Sequence, residues 1–175
     1  PFYNVDESYK EFSVVLTAPS KTFNLAGLQT SNIIIANEKL RKVYQETMNR
    51  YGVNEPNFLG IIACMTAYNE CELWVDEMLE YVYDNFTYFD EFLKENLPHI
   101  HLVKPEGLYL GWVDFRECGL NKDELEKTML EKAGLWLDEG YIFGTGGEGF
   151  ERFNLAIPRS VLEDACQRLL KAFGK

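Results

Sequence analysis

The sequence predicts the edge of an α/β domain followed by a smaller α+β domain, on three observations. Residues 31–36 (SNIIIA) hold an unbroken Ile-Ile-Ile, the pattern of a strand buried on both faces, as in a parallel sheet covered by helices. From residue 37 the apolar period changes to that of helices. After Pro98 short strands and helices alternate, in the order expected of helices laid on a sheet.

Taken in order, residues 13–17 (SVVLT) read as a short strand, and residues 18–29 (APSKTFNLAGLQ) as a loop of small residues and turn formers. The Ile-rich strand follows. Leu40, Val43, Tyr44, Met48 and Tyr51 then recur at helical spacing, with Asn37 as N-cap and Gly52 as stop. Two more helices are expected over 56–68 and 72–96. The second carries Trp74, Met78, Val82, Phe86, Phe89 and Leu93 on one side, a stripe that core packing explains, and acids on the other. Strands are expected at 101–103 and 108–115, joined by a KPEG turn at 104–107. A helix over 121–133 opens on Asn121 with Glu124 three residues on. Residues 135–137 and 153–157 are strand candidates. Residues 160–173 form the last helix, with Ser160 and Glu163 matching a capping box and Leu162, Ala165, Cys166, Leu169 and Phe173 as its buried stripe.

Composition narrows the function classes. The 175 residues are 46% hydrophobic and 26% charged, a globular balance. Acids outnumber bases 28 to 17, for a net charge of −11, which argues against a polyanionic partner such as nucleic acid. The aliphatic runs are far too short to span a bilayer, and no signal peptide opens the chain; a cytoplasmic setting is expected. Cys64, Cys71, Cys118 and Cys166 form no CxxC pair, and with just His99 and His101 beside them a structural zinc site is not expected. Residues 144–149 (GTGGEG) lack the Lys-Ser/Thr ending of a phosphate-binding loop and precede a strand, so they read as a flexible connection.

One residue breaks the pattern of its surroundings. Between Phe12 and Asn37, Lys21 is the sole charged side chain, where average composition places roughly six or seven. Such a lysine either snorkels to water from a buried strand end or sits half-buried. In the second case desolvation favours the neutral amine. A neutral amine is the nucleophile of Schiff-base chemistry, and pyridoxal phosphate enzymes use it to anchor the cofactor aldehyde and to move protons at the substrate Cα.

The run TAPSKTFNLAGLQTSNIII (residues 17–35) resembles the cofactor-lysine segment of fold-type I pyridoxal phosphate enzymes. Within them it is most similar to the class I/II aminotransferase-like cystathionine β-lyases of the MalY/PatB group. The likeness continues through KPEG (104–107) and GFERFNLAIPR (149–159), and so covers nearly the whole chain. It implies a PLP-dependent transferase-like (aspartate aminotransferase-like) fold. Residues 1–36 would be the C-terminal edge of the large cofactor-binding domain, 37–54 an interdomain helix, and 55–175 the small C-terminal α+β domain.

The resemblance implies that Lys21 holds pyridoxal 5′-phosphate as a Schiff base and exchanges it with substrate. Arg152, in the element Arg152-x-Asn154-x-Ala156, would grip the substrate carboxylate through its planar fork, whereas a surface arginine at a strand start is the plainer alternative. Arg159 reads as structural. Many class I aminotransferases hold the cofactor phosphate with an arginine eight residues after the lysine; here that position is Gln29, and the serine often found three before it is Ala18. Ser20 and Thr17 are left to supply hydroxyls, and the departure favours the lyase subgroup. PFYNVDESY at the start resembles the stretch shortly after the family's pyridine-binding aspartate. The chain is therefore expected to begin midway through the large domain and not to bind the cofactor tightly alone. The implied activity is a carbon–sulfur β-lyase acting on cystathionine-like amino acids as a homodimer. The alternatives are an aminotransferase and, from another class, a non-catalytic folded binding or dimerisation module.

Overall fold

Two compact units divide the chain, Pro1–Asp76 and Glu77–Lys175. The structure, a computed structural model, describes residues 2–53 and 55–174. Asn54, the last residue of the expected interdomain helix, lies outside the described residues.

The first unit opens with two 3-10 turns, Phe2–Asn4 and Glu7–Glu11. Strands β1 (Val15–Thr17) and β2 (Asn32–Ile34) follow and pair antiparallel, with Leu16 opposite Ile33. This corrects the expectation of a strand buried on both faces in a parallel sheet. A parallel return needs a crossover of a dozen or more residues, usually a helix. Here the connection is spent on a turn around Lys21 and a 3-10 turn, Ala26–Leu28. Of the three isoleucines, Ile35 is buried, Ile33 half-buried and Ile34 exposed.

Helix α1 (Glu38–Tyr51) starts and stops where its caps dictate. The Asn37 side chain accepts from the Leu40 amide, and Gly52 takes the left-handed conformation that ends the helix. Helix α2 (Phe58–Glu70) carries no charge before Glu70. It rests on the loop after β1 at Gly60, where a Cβ would stand 1.9 Å from the Thr30 hydroxyl oxygen, so a larger residue there would push the two apart. Helix α3 (Glu72–Asn96) begins in this unit and continues into the second.

The second unit is built on a four-stranded antiparallel sheet in the order β3-β4-β6-β5. Its strands are β3 (His101–Val103), β4 (Leu110–Asp114), β5 (Asp138–Glu139) and β6 (Phe150–Asn154). The period-2 alternation puts Val113, Glu151 and Phe153 on the buried face and Trp112, Phe150 and Arg152 on the other. Helix α4 (Lys122–Lys127) has the predicted Asn121–Glu124 capping box and runs on through a π-type turn, Thr128–Ala133. Helix α5 (Arg159–Phe173) closes the chain. Val82, Phe86, Phe89 and Leu93 of α3 and Leu162, Cys166, Leu169 and Phe173 of α5 form one core with Phe115, Met129, Phe153 and Leu155.

Three predicted features move. The strand expected at 135–137 falls instead at Asp138–Glu139: after the left-handed Gly134, Leu135 and Leu137 pack against the core outside the ladder. The strand expected at 153–157 starts earlier and ends at Asn154, whose side chain accepts from the Ala156 amide and turns the chain toward Pro158. The Ser160–Glu163 box does not form. The helix begins one residue sooner, and the Tyr81 hydroxyl accepts its first amide, Arg159 N, at 2.7 Å. Arg159 Nε donates to Asn85 Oδ1 at 2.9 Å, while its guanidinium lies over the Tyr88 ring. Asn85 in turn donates to the Leu155 and Ile157 carbonyls, so α3 staples the start of α5.

The four cysteines form no disulfide. Among the described residues no group of histidine, cysteine and acids is placed to hold a metal, and no helix is long and apolar enough to cross a membrane.

Candidate active site

Lys21 sits on the turn that leaves β1. The Phe23 amide donates to the Pro19 carbonyl at 2.9 Å and the Leu25 amide to the Ser20 carbonyl at 3.1 Å, closing the chain around it. Asn24 takes a positive φ of 53°, a conformation asparagine tolerates better than most residues, and this reverses the chain. Phe23 anchors the turn: its ring lies edge-on to Tyr68 and stacks on Trp74, and with Leu25, Leu59 and Ile62 it lines a shallow apolar groove. Pro19 is buried beneath.

On this anchored turn Lys21 is exposed, not half-buried as its apolar neighbourhood suggested. Its apolar neighbours Phe23 and Leu25 pack toward α2 and Trp74 instead. Among the described residues its Nζ makes no hydrogen bond or ion pair. Ser20 is half-buried beside it, and Thr17, on the last residue of β1, accepts weakly from Asn32 Nδ2 at 3.5 Å. Gln29 ends the 3-10 turn in the left-handed conformation with its side chain exposed. A primary amine with no acid beside it, flanked by hydroxyls, fits a phosphorylated aldehyde cofactor.

Arg152 belongs to the second unit. It lies on the outer face of β6, opposite Trp112 on one side and Asp138 on the other. Asp138 Oδ2 accepts from Arg152 Nε at 3.1 Å and from Nη2 at 2.5 Å. The guanidinium carbon stands 4.6 Å from the centre of the Phe143 ring, which meets Trp112 edge-on; Trp112 stacks on Phe150, and Arg116, paired with Asp114, caps that ring. The outer face of this sheet is thus a band of aromatic rings closed at each end by an arginine. The connection over 144–149 reaches β6 by packing Gly140 against Gly147, where a Cβ on Gly147 would stand 1.9 Å from the Gly140 carbonyl oxygen.

Two residues of this region carried no signal in the sequence. Asp138 is 14 residues from Arg152, and the β5–β6 register alone brings them together. Glu151 alternates with Arg152 onto the buried face, where its Oε2 meets no hydrogen-bond partner among the described residues. Burial, with Glu139, Glu126 and Asp138 nearby, pushes its carboxyl up to about 8.

No protein-family model matches the chain. It is 37% identical to cystathionine β-lyase PatB of Bacillus subtilis over 174 residues, which is 99% of this chain and 45% of that one. With the protein MalY of Escherichia coli it shares 32% identity over 159 residues, 90% of this chain and 41% of that one. The fold superposes with a TM-score of 0.94 on cystalysin from Treponema denticola, whose crystal structure contains pyridoxal 5′-phosphate. The identity there is 40%, over 98% of this chain and 44% of cystalysin. The chain therefore spans less than half the length of the curated relatives it matches. Within that span, sequence and fold agree: the chain matches the C-terminal part of fold-type I pyridoxal phosphate enzymes of the class I/II aminotransferase-like kind, with the MalY/PatB cystathionine β-lyases among its relatives.

Proposed function

We propose that the protein containing this chain is a carbon–sulfur β-lyase that, with one water, cleaves cystathionine-like amino acids to a thiol, pyruvate and ammonia. The observation that carries the proposal is the likeness, over 98–99% of the chain, to a cystathionine β-lyase and to cystalysin, with Lys21 on the exposed turn after β1. Pyridoxal 5′-phosphate, held on Lys21, supplies the electron sink that lets bonds at the substrate Cα and Cβ break. Once displaced from the cofactor by the substrate amine, the Lys21 amine would take the proton from Cα and pass it to the departing thiolate. Ser20 and Thr17 offer hydroxyls to the phosphate. Arg152 binds the substrate α-carboxylate through guanidinium N–H donors and so orients the Cα–H bond. The same reading carries with it a homodimer and a cytoplasmic setting.

The test uses the full-length gene product. With L-cystathionine it is expected to release pyruvate with no added keto acid, and borohydride is expected to fix the cofactor to Lys21. Lys21→Ala is expected to lower turnover by about a thousandfold or more and abolish the labelling. Strict dependence on an added keto acid would assign the protein to transamination, and labelling that survives Lys21→Ala would remove the lysine from the mechanism.

A further inference from the structure

The Arg152 guanidinium is held on two sides by this chain. Its Nε–Nη2 edge is taken by one oxygen of Asp138, and one of its faces is covered by Phe143, itself backed by Trp112. Asp138 is fixed in turn because its backbone is in the sheet, directly across the ladder from Arg152. Among the described residues Nη1 takes no hydrogen bond or ion pair. An incoming carboxylate therefore finds one edge of the fork presented, Nη1–Nη2, in an orientation already chosen.

We propose that Asp138 is a positioning residue for substrate recognition, clamping Arg152 so that its Nη1–Nη2 edge receives the substrate α-carboxylate. The inference rests on reading Arg152 as the carboxylate-binding residue and assigns it a partner. The side chains of the pair are 31% and 50% exposed, so as an ion pair it contributes little to stability. Its value is in restricting a flexible side chain before binding, so that less freedom is lost when the substrate arrives. Repulsion between Asp138 and the substrate carboxylate works against this. It is the weaker effect, because Asp138 is half-exposed to water and takes the neighbouring edge of the guanidinium, leaving one hydrogen of Nη2 and both of Nη1 to the substrate.

The test uses the full-length holoenzyme and two probes whose binding is followed by cofactor absorbance: L-alanine, and ethylamine as the same amine without the carboxylate. Asp138→Ala is expected to weaken L-alanine roughly fivefold and leave ethylamine unchanged. With L-cystathionine the KM should rise by a similar factor while kcat stays within about twofold. Asp138→Asn, whose amide oxygen can accept from the same two donors, is expected to restore most of the loss. Unchanged or tighter L-alanine binding in Asp138→Ala would overturn the proposal, as would equal weakening of both probes. Arg152→Lys separates this from the reading beneath it. If that variant still prefers L-alanine over ethylamine as the wild type does, Arg152 is not the carboxylate site. If it loses the preference while Asp138→Ala keeps it, only the clamp is refuted.

Discussion

Glu151 is an acid in a place built for a hydrocarbon. The ladder puts it between Val113 and Glu139, the residue is 1% exposed, and among the described residues Oε2 has no hydrogen-bond donor. Burial chiefly, then the neighbouring Glu139, Glu126 and Asp138, raises its carboxyl from 4.5 to about 8. The folded chain thus keeps a proton that the unfolded chain releases. Between pH 4.5 and about 8 the unfolded state binds fewer protons, so stability falls as pH rises through this window and levels off above it. The loss is on the order of a few kcal/mol at most. Glu151→Gln, neutral at every pH, is expected to unfold later in urea than the wild type at pH 8.5 and to lose most of that advantage at pH 5. An advantage equal at both values would mean that Glu151 holds no proton in the native chain. The same strand places Arg152 on the opposite face, so two neighbouring residues of one motif differ as much in surroundings as the fold allows.

Among the elements, helices were the more legible, because their signals are local. Asn37 and Gly52 bound α1 as read; of the stripe read on α3, Val82, Phe86, Phe89 and Leu93 are buried, Met78 is half-buried and Trp74 stays exposed. The strand at 101–103 falls where it was read, but those expected at 135–137 and 153–157 were displaced, because a strand is defined by its partner, which may be far along the chain. Leu135 and Leu137 look like strand residues, but the acids after them reach the ladder. Of the candidate site, Lys21 was legible through the absence of charge around it, whereas its exposure and the Asp138 clamp depend on register and turn geometry. The two capping boxes give a test of local against non-local signals. Asn121 accepts from the Asp123 and Glu124 amides, and Glu124 reaches back to the Asn121 amide. Ser160 matches the same motif, but α5 already begins at Arg159, so Ser160 lies inside the first turn and the Leu162 amide donates to the Pro158 carbonyl instead. Asn121→Ala is therefore expected to cost about 1 kcal/mol in urea unfolding, and Ser160→Ala less than about 0.5 kcal/mol. Equal costs would show that the motif, rather than the contact, sets the stability.

At the scale of the molecule, burial is divided very unequally between the two units. Every member of the main core cluster lies between Val82 and Phe173. In the first unit the buried apolar side chains are Ile35, Cys64 and Ala67, with Pro19 beside them. Helix α2 leaves Phe58, Leu59 and Met65 each more than half exposed although it is apolar on every face. Among its described residues the first unit therefore has few side chains to gain from burial, whereas the second has a continuous core spanning sheet and helices. Residues 77–175, expressed alone, are expected to give a dispersed amide spectrum and a single cooperative urea transition. Residues 1–76 alone are expected to give neither, and to bind a dye that reports exposed apolar surface. A cooperative transition from residues 1–76, or its absence from residues 77–175, would show that stability is distributed otherwise. The expected result would place Lys21 on the unit that depends on covering from elsewhere and Arg152 on the unit that stands by itself.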